Sequence, residues 1–133
     1  GSDANSVAAG KTPLSSMAPT LIFDRGGELR LALGSPGGPR IITATLQTIL
    51  NSLNRGMSLA DAVHAYRIHH QWLPDDLEIE TGGLASAVVE KLKTMGHHVV
   101  DHAPMGDVQA VERSASGLMG VSDTRSDGAP VGL

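Results

Sequence analysis

The feature that most constrains this chain is the break Gly34-Ser35-Pro36-Gly37-Gly38-Pro39. Before it, Leu29, Leu31 and Leu33 alternate with Glu28, Arg30 and Ala32, the period-2 pattern of a strand with one buried face. After it, Ile42, Leu46, Ile49, Leu50 and Leu53 recur at helical spacing, forming one apolar stripe. A strand must therefore end and a helix begin within six residues. Pro39 suits a first helical turn because its missing N–H is not needed there. The adjacent glycines leave two readings open on spacing alone. One is a turn that needs glycine for its dihedrals. The other is a cradle of backbone N–H groups, backed by a helix N-terminus, that faces negative charge. A phosphate loop is a poor fit, since Pro-Arg stands where Gly-Lys-Ser/Thr would be needed.

The rest of the chain reads outward from this break. Thr20–Phe23 and Glu28–Leu33 flank Asp24-Arg25-Gly26-Gly27 as a β-hairpin. Gly56 closes the first helix, and Ser58 with Asp61 forms a capping box before a short helix over Leu59–Ala65. Leu84, Val88, Leu92 and Met95 mark a third helix closed by Gly96. His97–His102 reads as a strand, and Val108–Arg113 with Leu118–Asp123 as a second hairpin around Ser114–Gly117. Arg67–Asp75 collects polar groups around Trp72, as a buried connector or a ligand wall would, with the connector the commoner case. Gly1–Pro19 and the stretch from about residue 124 to 133 read as irregular lead-in and tail. The expected class is α+β, or layered α/β, in one domain spanning residues 1–133.

Composition removes several functions. A net charge of −4 and only three aromatic residues, Phe23, Tyr66 and Trp72, supply neither a basic footprint nor stacking platforms for nucleic acid. Without cysteine there is no thiolate nucleophile or zinc–cysteine site. Six histidines raise the question of a metal, but the doublets His69-His70 and His97-His98 point to opposite faces of a strand and lack carboxylates at chelating spacing. No metal and no cofactor are expected. Gly-x-Ser-x-Gly is absent around Gly117–Gly120, which argues against a serine triad. The longest uncharged stretch, Ile41–Asn54, is too short and polar to span a bilayer. Ser15 and Ser16 lie between Pro13 and Pro19, and paired hydroxyls there are able to grip a carboxylate or to serve only a turn.

Four segments taken in order, Pro13–Thr20 (PLSSMAPT), Gly34–Thr43 (GSPGGPRIIT), Arg67–Glu80 (RIHHQWLPDDLEIE) and Gly120–Gly128 (GVSDTRSDG), resemble the γ-glutamyltransferase (γ-glutamyl transpeptidase) family, in the C-terminal part of its small subunit. The resemblance covers essentially the whole chain. It implies an N-terminal-nucleophile hydrolase, whose full fold is an αββα sandwich. In such an enzyme a precursor cleaves itself, and the freed threonine attacks the γ-carbonyl of a γ-glutamyl compound such as glutathione. The acyl group then passes to water or to an amine. By the same resemblance, Gly37 and Gly38 match the oxyanion-hole glycines, and Ser15 and Ser16 match the serines that hold the substrate's α-carboxylate. The nucleophilic threonine has no counterpart among these residues. The chain is accordingly expected to be a fragment, inactive alone, whose partners are the rest of the small subunit, the large subunit and a small γ-glutamyl substrate. Uncovered sheet edges and apolar faces would also favour self-association. The resemblance places the intact enzyme in the periplasm or outside the cell if bacterial, although Gly1–Asn5 shows no signal peptide. Two alternatives remain at this level: a non-catalytic folding or interaction module, and a relative acting on poly-γ-glutamate or cephalosporin-type acyl substrates.

Overall fold

The computed structural model describes residues 5–132; residues 1–4 of the expected lead-in and residue 133 of the expected tail lie outside it. Strands β1 (Thr20–Phe23) and β2 (Leu29–Gly34) form the expected antiparallel hairpin. Asp24 organises its turn, with the carboxylate accepting from the N–H groups of Gly26 and Glu28 at 2.7 and 3.0 Å. Strands β6 (Gln109–Ser114) and β7 (Gly117–Ser122) form the second expected hairpin. Because β2 pairs antiparallel with β6, the four strands make one sheet in the order β1-β2-β6-β7.

Everything between residues 34 and 109 is inserted between two strands that lie side by side. A short 3-10 turn, Gly38–Arg40, leads into helix α1 (Ile41–Ile49), whose last turn widens over Leu50–Asn54. Gly56, at φ +68, ends it as the sequence predicts. Helix α2 (Leu59–His64) begins at Ser58, whose Oγ accepts from the Asp61 N–H at 3.1 Å and donates to the Asp61 carboxylate at 2.6 Å. A second sheet follows in the order β3-β4-β5, comprising Ile68–His69, Leu77–Glu80 and Val99–His102. Strand β4 runs antiparallel to β3 and parallel to β5, and helix α3 (Ser86–Thr94) makes the crossover between β4 and β5.

The core lies between the first sheet and helices α1 and α2. Leu31 and Leu33 of β2, Ala110 of β6, Ala44 of α1, Leu59 and Val63 of α2, and Val108 form one buried cluster, against which Ile22, Ile49 and Val121 pack. A fully buried leucine or valine of this kind is stabilised by about 1.5–3 kcal/mol relative to exposure.

Three elements depart from the sequence reading. The apolar stripe of α1 faces this core only in part: Ile49 packs against it and Leu53 is half-buried, but Ile42, Leu46 and Leu50 are 56%, 50% and 40% exposed, and the helix buries Ile41, Ala44, Thr45 and Thr48. Small side chains bring the helix close to β2, and Thr48 remains satisfied by donating to the Ala44 carbonyl at 3.0 Å. Helix α3 carries no fully buried residue: of its predicted apolar face, Val88 and Met95 are exposed while Leu84 and Leu92 are half-buried. Finally, the polar stretch around Trp72 contains β3, and the acidic run after it contains β4. Arg67 and His69 are buried there, whereas Trp72 is exposed with φ +72.

Candidate functional site

The glycine break forms an exposed loop between the end of β2 and α1. Gly37 and Gly38 have φ +139 and +59, conformations that L-residues rarely adopt. Their carbonyls accept from the N–H groups of Arg40 and Ile41 respectively, which turns the chain into the helix. Among the hydrogen bonds of the described residues, none uses the N–H of Gly37 or Gly38. Two neighbouring donors at an exposed turn, in front of a helix start, suit an oxyanion.

The far end of the loop is clamped. Arg40 donates from Nε and Nη2 to the two oxygens of Glu78 on β4, both at 2.7 Å, a forked pair that ties the loop to the second sheet. The Arg40 bond holds the Glu78 carboxyl below its ordinary value, and the same bond raises Arg40.

Ser15 is exposed and Ser16 half-buried on the extended segment that leads into β1. Ser15 Oγ accepts from the Met17 N–H at 3.2 Å, which leaves its own hydrogen free to donate. The segment reaches the glycine loop at Pro19, whose Cα lies 3.9 Å from where a Cβ on Gly34 would sit. From Ser16 to Pro19 the chain spans at most about 11 Å.

Beneath the loop lies a charge cluster that spacing did not reveal. Arg67, Glu80 and Asp123 are each 3% exposed or less. Arg67 donates to Asp123 at 2.6 Å and to the carbonyls of Met105 and Val63 at 2.6 and 2.7 Å. Arg125 bonds to both Glu80 oxygens and, at 2.8 Å, to Asp123. Burial drives the Glu80 and Asp123 carboxyls upward, but their bonds to Arg125, to Arg67 and to backbone N–H groups outweigh it and leave both below their ordinary values. Burial lowers Arg67, while the two carboxylates outweigh burial at Arg125 and raise it. Two cations facing two anions, with further hydrogens of both guanidinium groups on backbone carbonyls, make this buried group tolerable. Its four members sit inside two of the resembling segments, Arg67–Glu80 and Gly120–Gly128, so the segments were visible in the sequence while the contacts were not.

Three of the six histidines pair separately with nearby side chains: His69 with Thr43 and Gln71, His70 with Asp75, and His98 with Asp76. Among the described residues, no group of three or more histidines and acids is placed to hold a metal ion. Also among them, no helix is long and apolar enough to cross a membrane.

The family model for gamma-glutamyltranspeptidase matches residues 1–133. The chain belongs to this family. It is 44% identical over 127 residues to the glutathione hydrolase proenzyme of Escherichia coli, covering 95% of this chain and 22% of that protein. With the Pseudomonas aeruginosa glutathione hydrolase proenzyme the identity is 42% over 136 residues, covering 100% and 24%. The chain thus spans about a quarter or less of these relatives' length. A structure of gamma-glutamyltranspeptidase from Pseudomonas nitroreducens complexed with L-DON superposes with a TM-score of 0.88 at 39% identity, covering 100% of this chain and 70% of that one. One from Helicobacter pylori gives 0.86 at 43% identity, covering 95% and 69%. The α+β class and the place of this chain within an N-terminal-nucleophile hydrolase fold follow from these neighbours.

Proposed function

We propose that this chain is a single unit from the C-terminal part of the small subunit of a γ-glutamyltransferase. In this reading it supplies the oxyanion hole and the α-carboxylate grip for a glutathione-like substrate. The threonine nucleophile lies in the part of the relatives' length that these residues do not span, so the chain works only with the rest of the small subunit and the large subunit. Attack of that threonine on the γ-carbonyl turns the carbonyl oxygen into an alkoxide. The N–H groups of Gly37 and Gly38 donate to it, and losing one such donor typically costs about 2.7–4 kcal/mol of activation energy. Ser15 and Ser16 donate to the α-carboxylate and hold the reacting carbon in place. The intermediate collapses by breaking the bond to the leaving amine, which departs with the proton given up by the threonine hydroxyl. The acyl-threonine ester then passes its acyl group to water or to an amine, whose proton restores the hydroxyl. By likeness to the bacterial relatives, the whole protein works in the periplasm or outside the cell.

The observation that carries this reading is the pair of neighbouring glycines at φ +139 and +59 with uncommitted N–H groups, in a chain matched throughout by the family model. The test uses the full-length protein and γ-glutamyl-p-nitroanilide. Release of p-nitroaniline is expected from the full-length protein and none from the 133-residue chain alone. Replacing both Ser15 and Ser16 by alanine should raise KM roughly ten- to hundredfold, the scale of hydrogen bonds to a charged group. That penalty should vanish for a substrate whose α-carboxylate is amidated. A full-length protein without γ-glutamyl turnover would overturn the reading, as would a double variant with unchanged KM.

A further inference from the structure

The segment Met105–Val108, which leads from β5 into β6, passes under the glycine loop. Gly106 has φ +72, and a Cβ on it would stand 2.8 Å from Ser35 Oγ, 3.2 Å from the Ala44 Cβ and 3.5 Å from the Pro36 carbonyl oxygen. From above, a Cβ on Gly37 would stand 3.3 Å from the Gly106 Cα. Loop and segment therefore meet backbone to backbone, and glycine is needed on both sides.

The Ser35 hydroxyl joins them. It accepts from the Asp107 N–H at 2.9 Å and donates to the Pro36 carbonyl at 2.7 Å. A hydroxyl has one hydrogen, and because Asp107 occupies a lone pair, that hydrogen is left for Pro36. The Pro36 carbonyl belongs to the same peptide plane as the Gly37 N–H. That peptide is trans, so its C=O and N–H point in opposite directions. Gripping the carbonyl from the Asp107 side aims the N–H away from it.

We propose that Ser35 is a positioning residue: its hydroxyl, held by Asp107 over Gly106, fixes the direction in which Gly37 presents its N–H. This rests on the reading of Gly37 as an oxyanion donor. The support beneath is itself anchored, because the Met105 N–H donates to Glu80 at 2.6 Å, the Met105 carbonyl accepts from Arg67 at 2.6 Å, and the Val108 N–H donates to Asp123 at 2.8 Å. The buried charge cluster thus holds the segment, the segment holds Ser35, and Ser35 orients the peptide. Donors that are already aimed need no reorganisation when the charge develops, which is where such a site gains its rate.

Ser35→Ala removes both bonds and adds no atoms, so it is the variant of choice in the full-length protein. With γ-glutamyl-p-nitroanilide, kcat normalised to the acyl-enzyme burst should fall roughly three- to tenfold while KM stays within about twofold, the effect of one hydrogen bond lost from the transition state. Ser35→Thr keeps the hydroxyl and should recover most of the rate. An unchanged normalised kcat in Ser35→Ala, a loss lying wholly in KM, or a threonine variant no better than alanine would each overturn the proposal. If the wild-type protein turned over normally beside an unimpaired Ser35→Ala, only this proposal would fall. If the wild type itself lacked γ-glutamyl turnover, the oxyanion reading would fall and take this one with it.

Discussion

A side chain at Gly37 would run into backbone, whereas one at Gly38 would enter open space. The two positions share a need for positive φ but differ in crowding, so their substitutions should behave differently. Gly38→Asn keeps a residue that tolerates the left-handed region and should cost little stability, while Gly38→Ala should cost about 1–2 kcal/mol. Gly37→Ala must accommodate both φ +139 and the Gly106 Cα, and should cost more than Gly38→Ala. Urea midpoints of the three variants check this order. At this scale the sequence was legible in part. Two glycines between a strand and a helix were visible as a break, and family likeness gave them a chemical sense. The partner of Gly37 was not visible, because Gly106 lies 69 positions away in sequence and nothing in its own neighbourhood marks a close approach.

Among the elements, those written in local rules came out as read: both hairpins, the Ser58 cap of α2, and the glycines closing α1 and α3, although the Asp61 carboxylate binds the Ser58 hydroxyl. The Ser58 cap gives a direct test, since Ser58→Ala should destabilise by about 1 kcal/mol as measured by urea unfolding. What local rules did not give was the direction of each helix. The stripe Ile42, Leu46, Ile49, Leu50 and Leu53 has the periodicity of a core face, yet Ile42, Leu46 and Leu50 lie outside, and it is Ala44 and Ile49 that meet the core cluster. Periodicity names a face; it does not say what covers it. Strand β4 was hidden for another reason. Leu77 and Ile79 alternate as a strand requires, but Glu78 and Glu80 make the run look like a solvated acidic patch until Arg40 and Arg125 are placed against them. Fork and carboxylate matter together here: Arg40→Lys keeps the charge but loses the two-pronged contact, and should reduce stability by up to about 1 kcal/mol, because the pair is partly exposed.

For the molecule as a whole, stability at low pH should be governed by the carboxylates of Glu78, Glu80 and Asp123. All three lie below their ordinary values, near 4.5 for glutamate and 3.8 for aspartate, so their contribution is complete above that range. It should begin to fall as pH drops through those ordinary values and be lost only below the folded-state values. Urea midpoints flat between pH 5 and 7 and falling steeply below about pH 4 are expected. Arg67→Met strips Asp123 of one of its two guanidinium partners, leaving Arg125 and the Val108 N–H, and frees the buried Met105 carbonyl; it should cost about 3–5 kcal/mol, far more than any surface change. The outer faces make a separate prediction. Leu21 and Phe23 on β1, Val111 on β6 and the α1 stripe leave apolar surface uncovered, so the isolated chain should self-associate, with Leu46→Glu moving it toward monomer in sedimentation velocity. Helix α3 stands apart from all of this. With nothing fully buried along its length and glycines at 82, 83 and 96 on either side, it is a natural graft point. A fluorophore, an affinity handle or a short peptide insert placed on its outer turns is expected to leave the buried cluster between the first sheet, α1 and α2 undisturbed.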